Sequence, residues 1–317
     1  MNLRLPSSIR RCILRCLPLL LIAPLATLAQ RVMPLYYPDS IPNAIPAPNR
    51  EERRTDEKGV LLASRISRPT LTIFLPEHIQ NNMPAVVICP GGGYGVNALN
   101  IEGYDEARLF NSWGVAAFVL TYRIPDSSYC INPAIAPLQD AQQAILQVRR
   151  NAAAWHVDPH RVGIMGFSAG GHLASTAGTH FDKAFIPNPG NQNLRPDWLI
   201  LGYPVISSDP SIVHHGSFEN LLGKHPTDSL LRYFSSELQV TANTPPTFLV
   251  QAYDDRIGSE RSAEYFLLLK KAGVPAELHI YRRGGHGFGM RDRKIPTSTW
   301  PARLADWMSD SGFLKAM

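Results

Sequence analysis

Val162-Gly163-Ile164-Met165 runs into Gly166-Phe167-Ser168-Ala169-Gly170-Gly171-His172-Leu173, and the order of residue types in this stretch decides the fold. The first four residues have the apolar character of a buried strand. Residues 169–179 have the composition of a helix. Between them stands the pattern G-x-S-x-G, which carries meaning when a strand precedes it and a helix follows. Such a turn forces the serine into a strained backbone conformation, and side chains larger than glycine beside it would clash. In return the hydroxyl is presented at a helix N-terminus, where the dipole and the unpaired N–H groups favour developing negative charge. Ser168 is therefore the candidate nucleophile. A tight structural turn is the alternative that the flanking pattern argues against.

Outward from this stretch the chain alternates. Leu71–Leu75 alternates like a half-buried strand. Residues 85–89, 116–121, 162–165, 198–201, 247–253 and 276–281 are short apolar runs of the kind that fill a sheet covered on both faces. Helical stretches fall between them, near residues 103–113, 137–155, 169–179 and 262–272, with a last one near 301–308. Strands alternating with helices of this length predict an α/β fold, with a mostly parallel central sheet and helices on both faces, in a single domain. Residues 204–245 interrupt the alternation with four prolines, the pair His214-His215 and a short helical piece near 229–238. An insertion here is placed to roof the site. Residues 30–69, rich in Pro and charge, read as an extended N-terminal arm with little regular structure.

A serine hydroxyl needs a base, and the base an orienting acid. His286 sits in Gly284-Gly285-His286-Gly287-Phe288-Gly289, just after the last expected strand. His172 lies one turn into the helix after Ser168 and reads as a packed histidine. His214 and His215 are neighbours that point different ways, without carboxylates or cysteines at ligand spacing, so no metal site is expected. The acid should follow the penultimate strand, where Asp254-Asp255 stands. Asp255 is preferred as the partner of His286, with Asp254 shaping the loop. Pro90-Gly91-Gly92-Gly93-Tyr94 follows the strand ending at Cys89 and suits an oxyanion hole, with the N–H of Gly93 or Tyr94 and that of Ala169 as donors. A phosphate-binding loop is the rival, but no Gly-Lys-Ser/Thr follows. Tyr94 and Tyr203 are candidates for substrate contact, with packing as the equal alternative.

The N-terminus has its own character. Arg4, Arg10, Arg11 and Arg15 precede the apolar run 17–28, and Thr27-Leu28-Ala29 ends it with small residues. This predicts a signal peptide over residues 1–29. The run is shorter than the ~20 residues a bilayer span needs, so a retained anchor is the lesser reading. The expected location is periplasmic or extracellular, without stable membrane insertion after cleavage. Of the formal charge of +5, those four arginines carry +4. What remains is nearly neutral and gives no reason to expect nucleic acid. Cys89 and Cys130 are the cysteines beyond residue 29. Export permits a bridge, but a buried free thiol is the expectation for Cys89 at the end of an apolar run.

These residues resemble a family of bacterial α/β-hydrolases that includes acetylxylan esterases and feruloyl esterase-like enzymes. The resemblance rests on Ile88-Cys89-Pro90-Gly91-Gly92-Gly93-Tyr94, Leu138-Gln139-Asp140-Ala141, residues 166–173, Tyr203-Pro204-Val205-Ile206, Asp254-Asp255 and Gly285-His286-Gly287-Phe288. It covers nearly all of the chain beyond residue 29 and implies a catalytic domain over 70–317. It also implies an esterase that needs no cofactor and takes acyl groups, acetyl foremost, from carbohydrate such as xylan or xylo-oligosaccharides. Pro90 stands where the related glycine motif has His. Arg256-Ile257-Gly258 follows Asp255 where relatives commonly place Pro. A peptidase of the prolyl oligopeptidase type shares fold and triad but usually carries a propeller domain. A non-catalytic binding module normally lacks a triad member. Some relatives bear an endoxylanase label, yet a glycosidase needs two carboxylates flanking a sugar, and the sequence offers no such pair beside the triad.

Overall fold

The computed structural model describes residues 31–37, 40–291 and 293–314. The expected signal peptide lies outside them. Eleven strands and seven α-helices make up the described chain. The strands are β1 (Arg31–Pro34), β2 (Glu52–Thr55), β3 (Leu61–Ser64), β4 (Thr70–Phe74), β5 (Met83–Cys89), β6 (Val96–Ala98), β7 (Ala116–Thr121), β8 (Val157–Phe167), β9 (Leu199–Gly202), β10 (Thr247–Ala252) and β11 (Ala276–Tyr281). The helices are α1 (Asp105–Ser112), α2 (Ala136–Arg150), α3 (Ser168–Thr179), α4 (His215–Leu222), α5 (Asp228–Phe234), α6 (Glu260–Lys271) and α7 (Trp300–Asp310).

Eight strands form the central sheet in the order β1-β4-β7-β5-β8-β9-β10-β11. From β7 to β11 the neighbours are parallel, and β4 and β1 close one edge in antiparallel fashion. The mostly parallel sheet read from the sequence is present. Strand periodicity divides the core into two layers. Along β5, Ala85, Val87 and Cys89 face one layer, while Val86 and Ile88 face the other. The first layer takes Leu138 and Ile145 of α2, Leu173 of α3 and Tyr265 of α6. The second takes Phe110 of α1 and Leu304 and Met308 of α7. Both faces are thus covered.

The described residues of the expected irregular arm, 31–37 and 40–69, differ from that expectation. β1 pairs with β4 in the main sheet, and β2, β3 and β6 form a separate three-stranded antiparallel sheet. The arm is held to the body by specific bonds. Tyr36 Oη donates to the Gln139 carbonyl (3.1 Å), and Arg123 donates to the Pro42 carbonyl (2.8 Å). The same guanidinium meets Asp140 of the Leu138–Ala141 segment at 2.8 Å, with both side chains fully buried. Cys89 and Cys130 are both buried, free thiols. Among the described residues, no helix is long and apolar enough to cross a membrane.

Candidate active site

β8 delivers the chain at Phe167 and α3 begins at Ser168, which has φ +52°, the left-handed region that non-glycine residues rarely occupy. The turn is tight enough to dictate its glycines. A Cβ on Gly166 would lie 2.0 Å from the Gly170 carbonyl oxygen, and one on Gly170 would lie 2.1 Å from that of Cys89. The sequence pattern around Ser168 is thus a set of close backbone approaches.

Three loops at the C-terminal ends of the parallel strands bring the other groups to Ser168. Nε2 of His286, in the loop after β11, lies 2.9 Å from Ser168 Oγ. Nδ1 of His286 lies 2.8 Å from Asp255 Oδ2. A carboxylate at Nδ1 fixes the tautomer: Nδ1 carries the hydrogen and Nε2 offers its lone pair to the serine. Asp255 is itself held, since Oδ1 accepts from the Ile257 N–H (2.8 Å) and Oδ2 from Gln251 Nε2 (3.1 Å). The Arg256-Ile257-Gly258 segment closes a turn in which the Gly258 N–H donates to the Asp255 carbonyl (2.9 Å). Asp254 has a different partner set. Its Oδ1 accepts from the N–H groups of Gly284 and Gly285, at 2.8 and 2.7 Å, and these bonds hold its carboxyl below the usual range. It shapes the histidine loop and does not touch the imidazole.

Gly92, Gly93 and Tyr94 follow β5 with φ of +133°, +63° and +60°. This coil folds back beside the start of α3, whose first N–H groups, Ala169 included, have no partner within the helix. Asn220 of α4 donates to the Gly93 carbonyl (2.8 Å), so the insertion grips the same loop.

Both tyrosines expected at the substrate are turned inward. The Tyr94 side chain is 2% exposed and its hydroxyl donates to His172 Nδ1 (2.6 Å). His172 in turn donates from Nε2 to the Phe234 carbonyl (2.6 Å), which satisfies the packed histidine read from the sequence. Tyr94 can offer the site its backbone only. Tyr203 is 1% exposed, and its ring lies 5.0 Å from that of His286, edge to face. The substrate-contact reading of these two side chains is corrected by their burial. His214 caps α4 by accepting from the Ser217 N–H.

One acidic residue escaped the sequence reading. Glu102 lies buried in a π-helical turn, Asn100–Tyr104, just before α1. Its Oε2 accepts from the Gly91 N–H (2.9 Å) and its Oε1 from the Tyr203 hydroxyl (2.8 Å). A glutamate at a helix start ordinarily reads as a solvated first-turn acid. The one available hint was Glu106, four residues on: like charges at that spacing repel on an exposed helix face. Among the described residues, no cluster of three or more His, Cys, Asp or Glu side chains is arranged to hold a metal ion.

A serine in a strained turn after a central parallel strand, with a histidine and an aspartate from later strand ends, defines the α/β-hydrolase class. Residues 71–267 match the BD-FAE family, and the chain belongs to it, an esterase family of that fold. It is 35% identical over 243 residues to the acetylxylan esterase of Xylanibacter ruminicola, covering 75% of this chain and 47% of that protein. It is 37% identical over 205 residues to endo-1,4-beta-xylanase B of Butyrivibrio fibrisolvens, covering 64% of this chain and 32% of that one. The chain thus spans half or less of the length of these two relatives. The acetyl ester-xyloside bifunctional hydrolase from Caldicellulosiruptor lactoaceticus superposes with a TM-score of 0.78 at 35% identity, over 90% of this chain and 97% of that one.

Proposed function

We propose that this protein is an exported serine esterase that removes acyl groups, acetyl foremost, from carbohydrate such as xylan or xylo-oligosaccharides. The observation that carries the reading is the chain Ser168 Oγ–His286 Nε2 at 2.9 Å and His286 Nδ1–Asp255 Oδ2 at 2.8 Å. Ser168 attacks the acyl carbonyl carbon while His286 takes its proton, and Asp255 stabilises the imidazolium. The oxyanion is received by the N–H of Ala169 and that of Gly93 or Tyr94. The sugar alkoxide leaves with the proton from His286, and water, deprotonated by the same imidazole, releases the acid. Residues 1–29 direct export, and residues 70–317 form the catalytic domain. The relatives named for acetylxylan and acetyl ester-xyloside chemistry support the choice of substrate class.

The serine mechanism is tested by Ser168→Ala, with p-nitrophenyl acetate as substrate. It should lower kcat by several orders of magnitude, and near-normal turnover by the purified variant would sink the proposal. A fluorophosphonate probe should label Ser168 in the unaltered protein. An absence of adduct would favour a non-catalytic binding module on a hydrolase scaffold. Substrate class is read from acetate against ferulate released from acetylated xylan and from acylated xylo-oligosaccharides. Cleavage of peptide substrates without ester turnover would move the assignment to the peptidase reading.

A further inference from the structure

The mechanism above leaves one buried carboxyl group at the site without a task. Glu102 has a different partner on each oxygen. The Gly91 N–H, at the start of the oxyanion loop, donates to Oε2 at 2.9 Å, and the Tyr203 hydroxyl, just after β9, donates to Oε1 at 2.8 Å. Tyr203 extends the connection. Its oxygen accepts the N–H of Gly289 (3.0 Å), in the histidine loop, and its ring lies 5.0 Å from the His286 ring at 67°. Glu102 therefore joins the loops after β5 and β9, and through Tyr203 the loop after β11. It does so from a π-helical turn in which Glu102 itself has non-helical angles, φ −130° and ψ 22°. Such irregular turns recur where a helix has been adapted to a functional site.

The two partners favour the ionised form of Glu102. The Gly91 N–H can only donate, and the Tyr203 hydroxyl donates to Oε1 while its oxygen receives the Gly289 N–H, an arrangement that suits a carboxylate. The Tyr203 hydroxyl cannot turn away freely, because its oxygen already receives the Gly289 N–H. The network accommodates the carboxylate. Burial raises the carboxyl group's pKa, while the Tyr203 bond, His286, the Gly91 bond and Arg291 oppose that rise. Glu106, whose pKa burial pushes well up, is the other carboxyl group that faces it, and Tyr203 the other titratable neighbour. The charged and titratable groups facing His286 are Asp255, Glu102, His214 and Tyr203.

We propose that Glu102 is a positioning residue of this site: its carboxylate ties the oxyanion loop to the histidine loop, and its negative charge favours the His286 imidazolium that forms as Ser168 attacks. The inference rests on the serine-esterase reading and adds a second carboxylate to it. Asp255 orients the imidazole from one side, and Glu102, acting through Tyr203, fixes its distance from the oxyanion donors on the other.

Glu102→Gln keeps the shape and removes one acceptor and the charge. With p-nitrophenyl acetate, kcat should fall about 10- to 100-fold while KM stays within about twofold, because the lost interaction acts on the transition state. The acid limb of the kcat/KM profile should also move to lower pH, since a negative neighbour of the imidazolium has gone. A purely structural role would leave that limb in place. Wild-type kcat with an unmoved acid limb would overturn the proposal. Should Glu102→Gln fail to fold, Tyr203→Phe decides: it keeps Glu102 and breaks the link to Gly289, and it should lower kcat in the same direction but less. Wild-type kcat in Tyr203→Phe would then overturn the coupling. Ser168→Ala assayed alongside separates the two claims. If it retains turnover, the serine reading fails; if it is inactive while Glu102→Gln is normal, only the role of Glu102 fails.

Discussion

Two adjacent aspartates at the end of β10 show how much chemistry one position along the chain decides. Asp255 turns toward His286 and is sealed, while Asp254 turns outward and binds two backbone N–H groups. The neutral amide of Asp255→Asn cannot stabilise the imidazolium by charge, and its NH2 must face either the Ile257 N–H or His286 and Gln251, which accept nothing there in the catalytic tautomer. It should cost about 10³- to 10⁴-fold in kcat with little change in folding. Asp254→Asn keeps a carbonyl acceptor for Gly284 and Gly285 and should lose less than about tenfold. Steady-state kinetics of the two variants, side by side, checks the assignment, and equal losses would overturn it. The contacts among Ser168, His286 and Asp255, and the loop bonds of Asp254, were legible in the sequence because the proposed serine mechanism demands those residue types in a fixed chain order. Glu102, Tyr94 and Tyr203 were not. Nothing in a sequence distinguishes an aromatic ring that lines a pocket from one whose hydroxyl is satisfied within the core. A buried glutamate likewise looks like a solvated one until its donors, here from Gly91 and Tyr203, come together from distant strands.

Whole elements follow the same division. β5, β7 and β10 are buried on both faces, and their apolar runs announced them. β1 and β2 are short, largely exposed and charged, so period-2 burial left no trace in Arg31–Pro34 or Glu52–Thr55. The expected helix over 103–113 is a π-helical turn followed by α1, because Glu102 is drawn inward to Gly91 and Tyr203. The junction of β8 with α3 is where sequence and element constrain each other most. Gly170 sits in the first turn of α3 with the Cys89 and Pro90 carbonyl oxygens 2.1 and 2.5 Å from where a Cβ would stand. Both atoms are backbone, so Gly170→Ala has to push α3 away from the end of β5. The expected result is a loss of about 3 kcal/mol or more in urea unfolding. Activity should fall by more than the stability loss explains, because the Ala169 N–H moves with the helix. An unchanged unfolding midpoint would show that the junction yields more easily than its contacts imply.

At the scale of the molecule, the insertion over 204–245 is fastened to α3 through His172 and braced internally through Glu237, two buried groups whose pH dependences oppose one another. His172 of α3 donates to the Phe234 carbonyl, and Ser207 donates to Glu237 Oε1 at 2.6 Å. Burial lowers the His172 pKa to about 4 and raises that of Glu237 to about 7. An unfolded chain titrates these groups near 6.5 and 4.3. Between pH 6.5 and 4, the unfolded state binds a proton at histidine that the folded state refuses, so the His172 contribution to stability is lost as pH falls. Between pH 7 and 4.5, the folded state binds a proton at Glu237 that the unfolded state gives up, so stability from this group is lost as pH rises. Each effect amounts to roughly 3.5 kcal/mol at about 1.4 kcal/mol per pKa unit. Across pH 4.5–6.5 the two slopes have opposite sign and nearly cancel in the wild-type protein. Single variants should uncover them. Relative to wild type, His172→Gln should gain stability as pH falls from 7 to 4.5. Glu237→Gln should gain stability as pH rises over the same interval. Urea unfolding of the three proteins at half-unit pH steps measures both differences. Parallel, pH-independent offsets would show that neither group is titrating from a buried state, and that the insertion is held by packing alone.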